Sequence, residues 1–341
     1  MKQISSLLYP FSLIYGGITV LRNFFFDQGV FQSQKPKIPS IGVGNLTVGG
    51  TGKSVAVDYL ISLFKEEHTL VVISRGYKRK TSGVVIASDK STAKSIGDEP
   101  YQFYSKHQIE VVVAEKRKQA LEALNRIKPN PNRIVFDDLM QHRQIKPHCL
   151  ILTTTYNEPY FLDRLMPWGR LRECPKQSRR AQIILVTKCP FILGLEEKKE
   201  FLKKINPSVH QKVFFTTIVY SKEIINREKK ININSLDSEF ILITGVANPK
   251  PLVLFLKSKN FVFEHLKFSN HHDFKILEIQ KIKQKQKQKG QIIITTEKDF
   301  GRLAPHFTLE ELFYIPIKMK FLGKGSDVLF KKSLEKTLSI N

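Results

Sequence analysis

VGGTGKSV, at residues 48–55, lies between the apolar stretch PSIGVGN and a sequence with helical periodicity. A P-loop has the pattern GxxxxGK[ST] between a strand and a helix. Gly52, Lys53 and Ser54 supply the end of that pattern, but Thr47 stands where it begins with glycine. Glycines let backbone N–H groups curl around phosphate oxygens, and the following helix N-terminus favours anions. The stretch therefore predicts a phosphate-binding loop, with an unliganded glycine-rich turn as the alternative.

The loop predicts particular roles for its side chains. Lys53 is expected to neutralise the β- and γ-phosphates of a nucleotide, and Ser54 Oγ to ligate Mg²⁺. The complete set of predicted ATP contacts is Thr47, Val48, Gly49, Gly50, Thr51, Gly52, Lys53 and Ser54.

Two further strand ends bear on the nucleotide. Asp137 and Asp138 follow the apolar stretch at 134–136 and are candidate metal ligands, with a helix N-cap as the alternative. VTKCP, at 186–190, is similar to the base-recognition loop of GTPases, in which an aspartate reads guanine. Pro190 occupies that place here, so ATP is expected rather than GTP.

Strand-like and helix-like segments alternate along the chain, which predicts an α/β fold with a parallel sheet and helices on both faces. Candidate strands cover 40–44, 69–74, 83–87, 110–114, 133–136, 149–153, 182–187 and 212–220, with helices at 53–66, 100–107 and 116–127. A second alternation has strands at 240–244, 261–267, 291–295 and 312–317, with helices at 249–258, 273–288 and 297–303. The predicted division is an N-terminal segment 1–35, a P-loop domain 36–211, a linker 212–238 and a smaller α/β domain 239–341.

Composition narrows the classes of function. The 341 residues carry a net charge of +24, which indicates an anionic partner or a lysine-rich solvated surface. The three cysteines form no CxxC pair, so a disulfide scaffold or a zinc ribbon is not expected. No nucleic-acid motif occurs, and aromatic residues do not interleave with the basic runs as stacking platforms would. Nucleic acid is therefore not an expected partner.

The N-terminal segment is apolar. Residues 3–21 contain no charged side chain, but Pro10 and the pair Gly16-Gly17 interrupt the stretch. About 20 apolar residues would span a bilayer. A helix lying in the membrane interface is the favoured interpretation, followed by a spanning helix and by a buried core helix. Under either membrane interpretation, the positive charge downstream keeps the body of the protein on the cytoplasmic side.

Nine motifs occur in a fixed order along nearly the whole chain. They are VGNLTVGGTGKS (43–54), SRGY (74–77), GDEP (97–100), DDLMQHR (137–143), MPWGRLRE (166–173), VTKCP (186–190), TGVANP (244–249), HHDF (271–274) and TTEKD (295–299). Together they resemble the tetraacyldisaccharide 4'-kinases, which act at the inner membrane of Gram-negative bacteria. The chain departs from that pattern at Ser54, Val55, Leu139 and Trp168.

The resemblance implies a P-loop domain and a smaller α/β domain that close over an active site. It implies transfer of the γ-phosphoryl group of ATP, with Mg²⁺, to the 4'-hydroxyl of a tetraacylated glucosamine disaccharide 1-phosphate in lipid A biosynthesis. The lipid substrate places the expected location at the cytoplasmic face of the inner membrane.

The resemblance also implies site residues. Asp98 is expected to be the catalytic base with His271 as its partner, whereas the sequence by itself also fits Asp98 as a helix cap. Substrate or phosphate contacts are expected from Arg75, Arg117, Gln141, His142 and Arg172. The alternatives are solvated surface arginines and, for Gln141 and His142, a place beside the metal or a core histidine.

Two other classes of function stay open from the residues. One is a cytosolic P-loop NTPase that acts as a maturation or switch factor, and the other is a nucleic-acid-dependent ATPase. Stimulation of ATP turnover by lipid, by a protein partner or by nucleic acid would discriminate among the three.

Overall fold

The computed structural model describes residues 7–236 and 239–339. The rest of the chain, including residues 1–6 of the predicted N-terminal segment and 237–238 of the predicted linker, lies outside the described residues. The helices are α1 Tyr9–Asp27, α2 Lys53–Phe64, α3 Ala93–Ile96, α4 Asp98–His107, α5 Arg117–Ala123, α6 Leu195–Ile205, α7 Lys250–Ser258, α8 Ile276–Lys289, α9 Glu297–Leu303 and α10 Ser326–Ser339.

The strands form two sheets. They are β1 Ser40–Gly44, β2 Leu70–Ser74, β3 Val85–Ile86, β4 Glu110–Val113, β5 Arg133–Phe136, β6 Cys149–Thr155, β7 Ile183–Thr187, β8 Lys212–Tyr220, β9 Glu223–Ile225, β10 Lys230–Asn232, β11 Phe240–Thr244, β12 Phe263–Lys267, β13 Ile293–Thr296, β14 Leu312–Ile315 and β15 Ile317–Phe321. We call the nine-stranded sheet and its helices the first unit, and the six-stranded sheet with α7, α8 and α9 the second unit.

The first sheet has the order β15-β8-β7-β6-β1-β5-β2-β4-β3. Its inner pairs are parallel, and the antiparallel strands β15 and β3 close the two edges. Every residue of β1, β2 and β7 is buried, as expected for a parallel sheet with helices on both faces. The predicted α/β fold is confirmed. The carboxyl ends of the parallel strands bring the residues that follow them to one edge, where ligands of such sheets bind.

The second sheet has the order β10-β9-β14-β13-β11-β12. Strand β11 lies between β12 and β13, and both pairs are parallel. One face of this sheet packs Phe240, Leu242 and Phe313 with Leu256 of α7, and the other packs Ile279 and Ile282 of α8. The second unit therefore has its own hydrophobic core, which supports the loop after β12 where that loop contacts the first unit.

The strands are distributed differently from the predicted domain boundaries. The segment 212–238, predicted as a linker, supplies β8 to the first sheet and β9 and β10 to the second. The segment 239–341, predicted as one domain, returns β15 and α10 to the first unit, where Phe330 of α10 is fully buried beside Phe214. Strand β15 covers the edge of β8 that would otherwise stay unpaired, which explains the return.

Helix α1 lies on the first unit with its polar side inward. Its buried residues are Ser12, Gly16, Thr19 and Asn23. Ser12 Oγ donates to the Leu165 carbonyl at 2.9 Å, and Arg22 donates to the Gln141 carbonyl at 2.7 Å. Within residues 7–236 and 239–339, no helix is both long and apolar enough to cross a membrane.

Candidate active site

The predicted phosphate-binding loop joins β1 to α2. Helix α2 begins at Lys53, and Gly52 precedes it with a φ of +85°. This left-handed conformation suits glycine, and a Cβ there would lie 3.2 Å from the side chain of Thr187. The turn therefore presents the backbone of residues 49–52 and the N-terminus of α2 to one space, as phosphate binding requires.

Polar side chains from neighbouring strands hold this loop in place. Asn45 Nδ2 donates to the carbonyl of Thr47 at 2.7 Å and to Thr51 Oγ1 at 2.8 Å. Thr51 Oγ1 also lies 2.8 Å from Thr153 Oγ1 on β6, and Thr187 Oγ1 on β7 donates to the Thr51 carbonyl at 2.8 Å. Because these residues are buried, the loop is fixed before a ligand binds.

The two candidate metal ligands follow β5 beside the loop. Ser74 Oγ donates to Asp137 Oδ2 at 2.9 Å. Asp138 Oδ1 lies 3.5 Å from Lys53 Nζ, and both Asp138 oxygens accept from the Arg172 guanidinium, at 3.0 and 3.2 Å. A turn follows the pair, with a φ of +49° at Asp138, so the helix N-cap alternative is removed.

The surroundings of the two neighbouring carboxylates shift their pKa values in opposite directions. Burial, reinforced by Glu99 and Asp138, raises the pKa of Asp137 to about 6. Burial acts in the same direction on Asp138, but Lys53 and Arg172 outweigh it and hold the pKa of Asp138 below its ordinary value. Asp138 is therefore a fixed anion, whereas no cationic side chain among the described residues forms an ion pair with Asp137.

The predicted base and its partner come from different units. Asp98 is the first residue of α4, and Gly97 rather than Asp98 is the N-cap residue. Asp98 Oδ2 lies 2.6 Å from Nδ1 of His271, in the loop that follows β12. An ionised carboxylate can only accept, so His271 donates this hydrogen bond. Arg302 of α9 approaches the other Asp98 oxygen, with Nε 3.8 Å from Oδ1.

Two of the predicted phosphate contacts are already bonded to protein groups. Arg117 is buried and donates to the carbonyls of Ala114 and Asp137 at 2.7 and 3.1 Å. Burial lowers the pKa of Arg117 to about 10. Arg172, besides binding Asp138, donates to the Asn45 carbonyl at 2.9 Å. Both arginines therefore brace the strand ends that carry the acids.

The remaining predicted contacts lie at the same edge of the sheet. Gln141 Nε2 donates to the Asn45 carbonyl at 2.9 Å. Burial, with Arg117 adding to it, lowers the pKa of His142 to about 4, so its ring is neutral near pH 7. Arg75 follows β2 and is exposed. Their roles as substrate contacts stay predictions.

Several site residues were not predicted from the sequence. Asn45 shapes the loop and accepts from Lys53 Nζ at 3.0 Å. Lys188 Nζ donates to the Gly50 carbonyl at 2.5 Å. Lys298 Nζ donates to Glu99 Oε1 at 2.7 Å. Each of these residues lies inside one of the nine ordered motifs, and that position was the sequence feature that could have identified it. From sequence alone, however, a lysine beside a strand end cannot be distinguished from a solvated lysine.

Comparison with known proteins identifies the family. A sequence model described as tetraacyldisaccharide-1-P 4'-kinase, LpxK, matches residues 4–338. The tetraacyldisaccharide 4'-kinase of Flavobacterium johnsoniae is 41% identical over 95% of this chain and 94% of its own, and that of Bacteroides thetaiotaomicron is 37% identical over 95% and 91%. A crystal structure of LpxK from Aquifex aeolicus in complex with ATP has 28% identity and a TM-score of 0.78, covering 98% of this chain and 99% of that one.

These matches extend over the P-loop, Asp98, Asp137, Asp138 and the second unit, and the sequence-based prediction of the family is confirmed. The chain belongs to the tetraacyldisaccharide-1-P 4'-kinase family.

Proposed function

We propose that this protein transfers the γ-phosphoryl group of ATP to the 4'-hydroxyl of a tetraacylated glucosamine disaccharide 1-phosphate, a step of lipid A biosynthesis. The observation that carries the proposal is the Asp98–His271 pair, whose 2.6 Å contact joins the two units beside the P-loop. Such a carboxylate is suited to accept the proton of an acceptor hydroxyl, as the catalytic aspartate of protein kinases does. Membership of the family supplies the acceptor.

The first unit binds and orients the nucleotide in this mechanism. The backbone of residues 47–52 and the N-terminus of α2 surround the phosphates, and Lys53 places its charge on the β- and γ-oxygens. Lys53 is held for this by Asn45 Oδ1 and Asp138. Little reorganisation is needed when charge develops on the transferring group, which is how such sites lower a barrier.

The acids beside the loop fit a magnesium ion. Asp137 and Asp138 offer carboxylate oxygens and Ser54 a hydroxyl, the hard oxygen ligands that Mg²⁺ prefers. Asp137 is a buried carboxylate whose pKa is raised to about 6 mainly by burial, a setting that a nearby cation would relieve. Bound there, Mg²⁺ would neutralise charge on the phosphate oxygens.

Asp98 accepts the proton of the 4'-hydroxyl as that oxygen attacks the γ-phosphorus, and the bond from the γ-phosphorus to the β,γ-bridging oxygen breaks to release ADP. His271, by donating to Asp98 Oδ2, fixes the orientation of the carboxylate, and Arg302 lies 3.8 Å from the other oxygen. Because the pair is complete only when the second unit meets α4, the base is assembled together with the closed cleft. Such an arrangement limits transfer of the phosphoryl group to water.

The outer face of α1 supports attachment to a membrane surface. Its exposed apolar residues are Tyr9, Phe11, Leu13, Ile14, Ile18, Val20, Leu21 and Phe24, and the exposed Leu7 lies just before the helix. A helix that buries polar groups against its own protein and exposes apolar ones is suited to the interface of a bilayer. The net charge of +24 adds attraction to an anionic leaflet. We place the protein at the cytoplasmic face of the inner membrane, where its lipid substrate lies.

Transfer is tested by incubating the protein with labelled ATP and the monophosphorylated lipid disaccharide in mixed micelles, followed by chromatography of the lipid. Label on the lipid that depends on Mg²⁺ supports the proposal, and GTP is expected to be no better a donor than ATP. Lipid-independent release of phosphate, stimulated by a protein partner, would instead support the switch-factor function.

Membrane attachment is tested separately by vesicle flotation. The triple variant Phe11→Ser, Ile14→Ser, Ile18→Ser is expected to lose most binding to vesicles containing anionic lipid, while its melting temperature stays within a few degrees. A matched control replaces Leu254, Leu277 and Leu329, which are exposed elsewhere, by serine. Equal loss of flotation in both variants would contradict a specific role for α1.

A further inference from the structure

Helices α4 and α9 form the contact between the two units next to the candidate base. A Cβ added to Gly301 of α9 would lie 2.9 Å from the ring of Tyr101 of α4, so the two helices approach closely. Lys106 of α4 pairs with Glu297 of α9 at 2.7 Å. Lys298 of α9 pairs in turn with Glu99 of α4, also at 2.7 Å. Each helix therefore contributes one lysine and one glutamate to two ion pairs that hold α4 and α9 together.

The second of these pairs borders the active site. Glu99 directly follows Asp98, and its side chain is only 19% exposed. The negative charge of Glu99 contributes to the raised pKa of Asp137, and the charges of Asp137 and Asp98 contribute to the raised pKa of Lys298. Although burial opposes it, the charge of Glu99 raises the pKa of Lys298, so this lysine stays protonated. Lys298 is thus a cation of the second unit that faces the acids of the first.

We propose that Lys298 is a positioning residue for phosphoryl transfer, which compensates Glu99 and thereby fixes the first turn of α4 with Asp98 in contact with His271. The inference rests on the proposed function. A buried carboxylate left without its partner is strongly unfavourable, and it relieves itself by moving toward water. At Glu99 such a movement would carry Asp98 with it, because the two residues share the first turn of α4.

Other charged groups surround this turn and do not replace Lys298. Arg302 is held by Asp299 at 2.6 Å and by the carbonyl of His272 at 3.0 Å. Lys53 pairs with Asp138 and not with Glu99. Among the described residues, Lys298 is the only cationic side chain that contacts Glu99 in an ion pair.

The test compares kcat and the KM for ATP in four variants, which are Lys298→Met, Lys298→Arg, Glu99→Gln and the double variant Glu99→Gln, Lys298→Met. Lys298→Met is expected to lower kcat about 10- to 100-fold, the cost of a misplaced catalytic group, with KM changed by less than about threefold. Lys298→Arg retains the cation and should keep kcat within a few-fold. The double variant Glu99→Gln, Lys298→Met should recover part of the lost kcat, because no uncompensated charge remains.

A matched control uses another ion pair between the units. Lys94 binds Asp273 at 3.1 Å, but both side chains are more than half exposed, at 62% and 70%. Lys94→Met is therefore expected to leave kcat unchanged. If Lys298→Met and Lys94→Met are equally active, or if the double variant loses activity as the product of its single changes, the inference is overturned.

A measurement that needs no turnover separates this inference from the proposed function. Hydrogen exchange of residues 101–103 should accelerate in Lys298→Met and not in Lys94→Met, because the first hydrogen bond of α4, from the Tyr101 amide to the Gly97 carbonyl, is released. Unchanged exchange would overturn the inference even if lipid phosphorylation is observed. Accelerated exchange would support it even if the lipid proved to be the wrong acceptor.

Discussion

The cleft contains two pairs of adjacent acids that are held in different ways. Asp137 and Asp138 are set by the first unit itself, through Ser74, Lys53 and Arg172. Asp98 and Glu99 are instead paired with side chains of the second unit, which are His271, Lys298 and Arg302. Under the proposed function, nucleotide binding and acceptor activation therefore have separate requirements: the first pair is held within one unit, and the second pair requires both.

The largest expected effect is on the first pair. Lys53→Ala removes the cation that serves both the phosphates and Asp138, so we expect kcat/KM for ATP to fall about 10³- to 10⁵-fold, as for other cations on a transferring phosphoryl group. ATP affinity, measured by calorimetry, should fall as well. Lys65→Ala, at the far end of α2, is the control and should be nearly neutral. Retained ATP affinity in Lys53→Ala would break the assignment of the loop.

The second pair should respond differently. Loss of a general base typically costs 10²- to 10⁴-fold in rate, so Asp98→Asn is expected to lower kcat by about that factor. ATP affinity should stay within a few-fold, because the first unit binds the nucleotide alone. Asp273→Asn, an exposed aspartate of the second unit, is the control. If Asp98→Asn keeps its kcat and only loses melting temperature, Asp98 serves the helix and not the reaction.

A smaller effect should come from the histidine. His271→Ala leaves the carboxylate in place but removes its donor, so we expect kcat to fall about 10- to 100-fold. The double variant with Asp98→Asn should be little worse than Asp98→Asn alone, because the pair acts as one unit. Independent, multiplicative losses would show that the contact between the units has no part in the base.

The sequence predicted the elements that local pattern determines. The P-loop, the alternation of strands and helices and the acids after β5 all follow from short stretches, and the ordered motifs identified the family. The return of β15 and α10 to the first unit was not predictable, because the sequence of β15, IKMKF at 317–321, does not indicate which sheet edge the strand pairs with. Pairing between distant strands is a property of the whole chain and not of a window.

Charged site residues show the same limit. Arg117 was expected to contact phosphate, but its burial below Asp137 depends on the packing of α5 against β2. Lys298 lies in the quoted motif TTEKD, and only the approach of α9 to α4 reveals that it meets Glu99. Helix α1 shows the same limit for an apolar segment. Its composition predicted an apolar helix, but only the fold shows that its polar side is the buried one.

The smallest expected effect separates the two members of the first pair. The pKa of Asp137 is raised to about 6, so the folded protein binds this proton more tightly than the unfolded chain. Its contribution to stability is therefore lost as pH rises from about 4 to about 6, at a cost of up to about 3 kcal/mol. Asp137→Asn carries no charge and can still accept from Ser74. It should raise the melting temperature at pH 8, without nucleotide and with chelator, by a few degrees.

Asp138 should behave with the opposite sign. Lys53 and Arg172 overcome the effect of burial and lower its pKa, so its stabilising contribution is present above about pH 4 and disappears as pH falls further. Asp138→Asn should therefore lower the melting temperature at pH 8, since the Arg172 fork loses its anion. Calorimetric scans of both variants from pH 4 to pH 8 make the comparison. If the melting temperatures of both variants shift in the same direction at pH 8, the pKa values of Asp137 and Asp138 are not shifted in opposite directions. The distinction between Asp138 as a fixed anion and Asp137 as a ligand that requires a cation then fails.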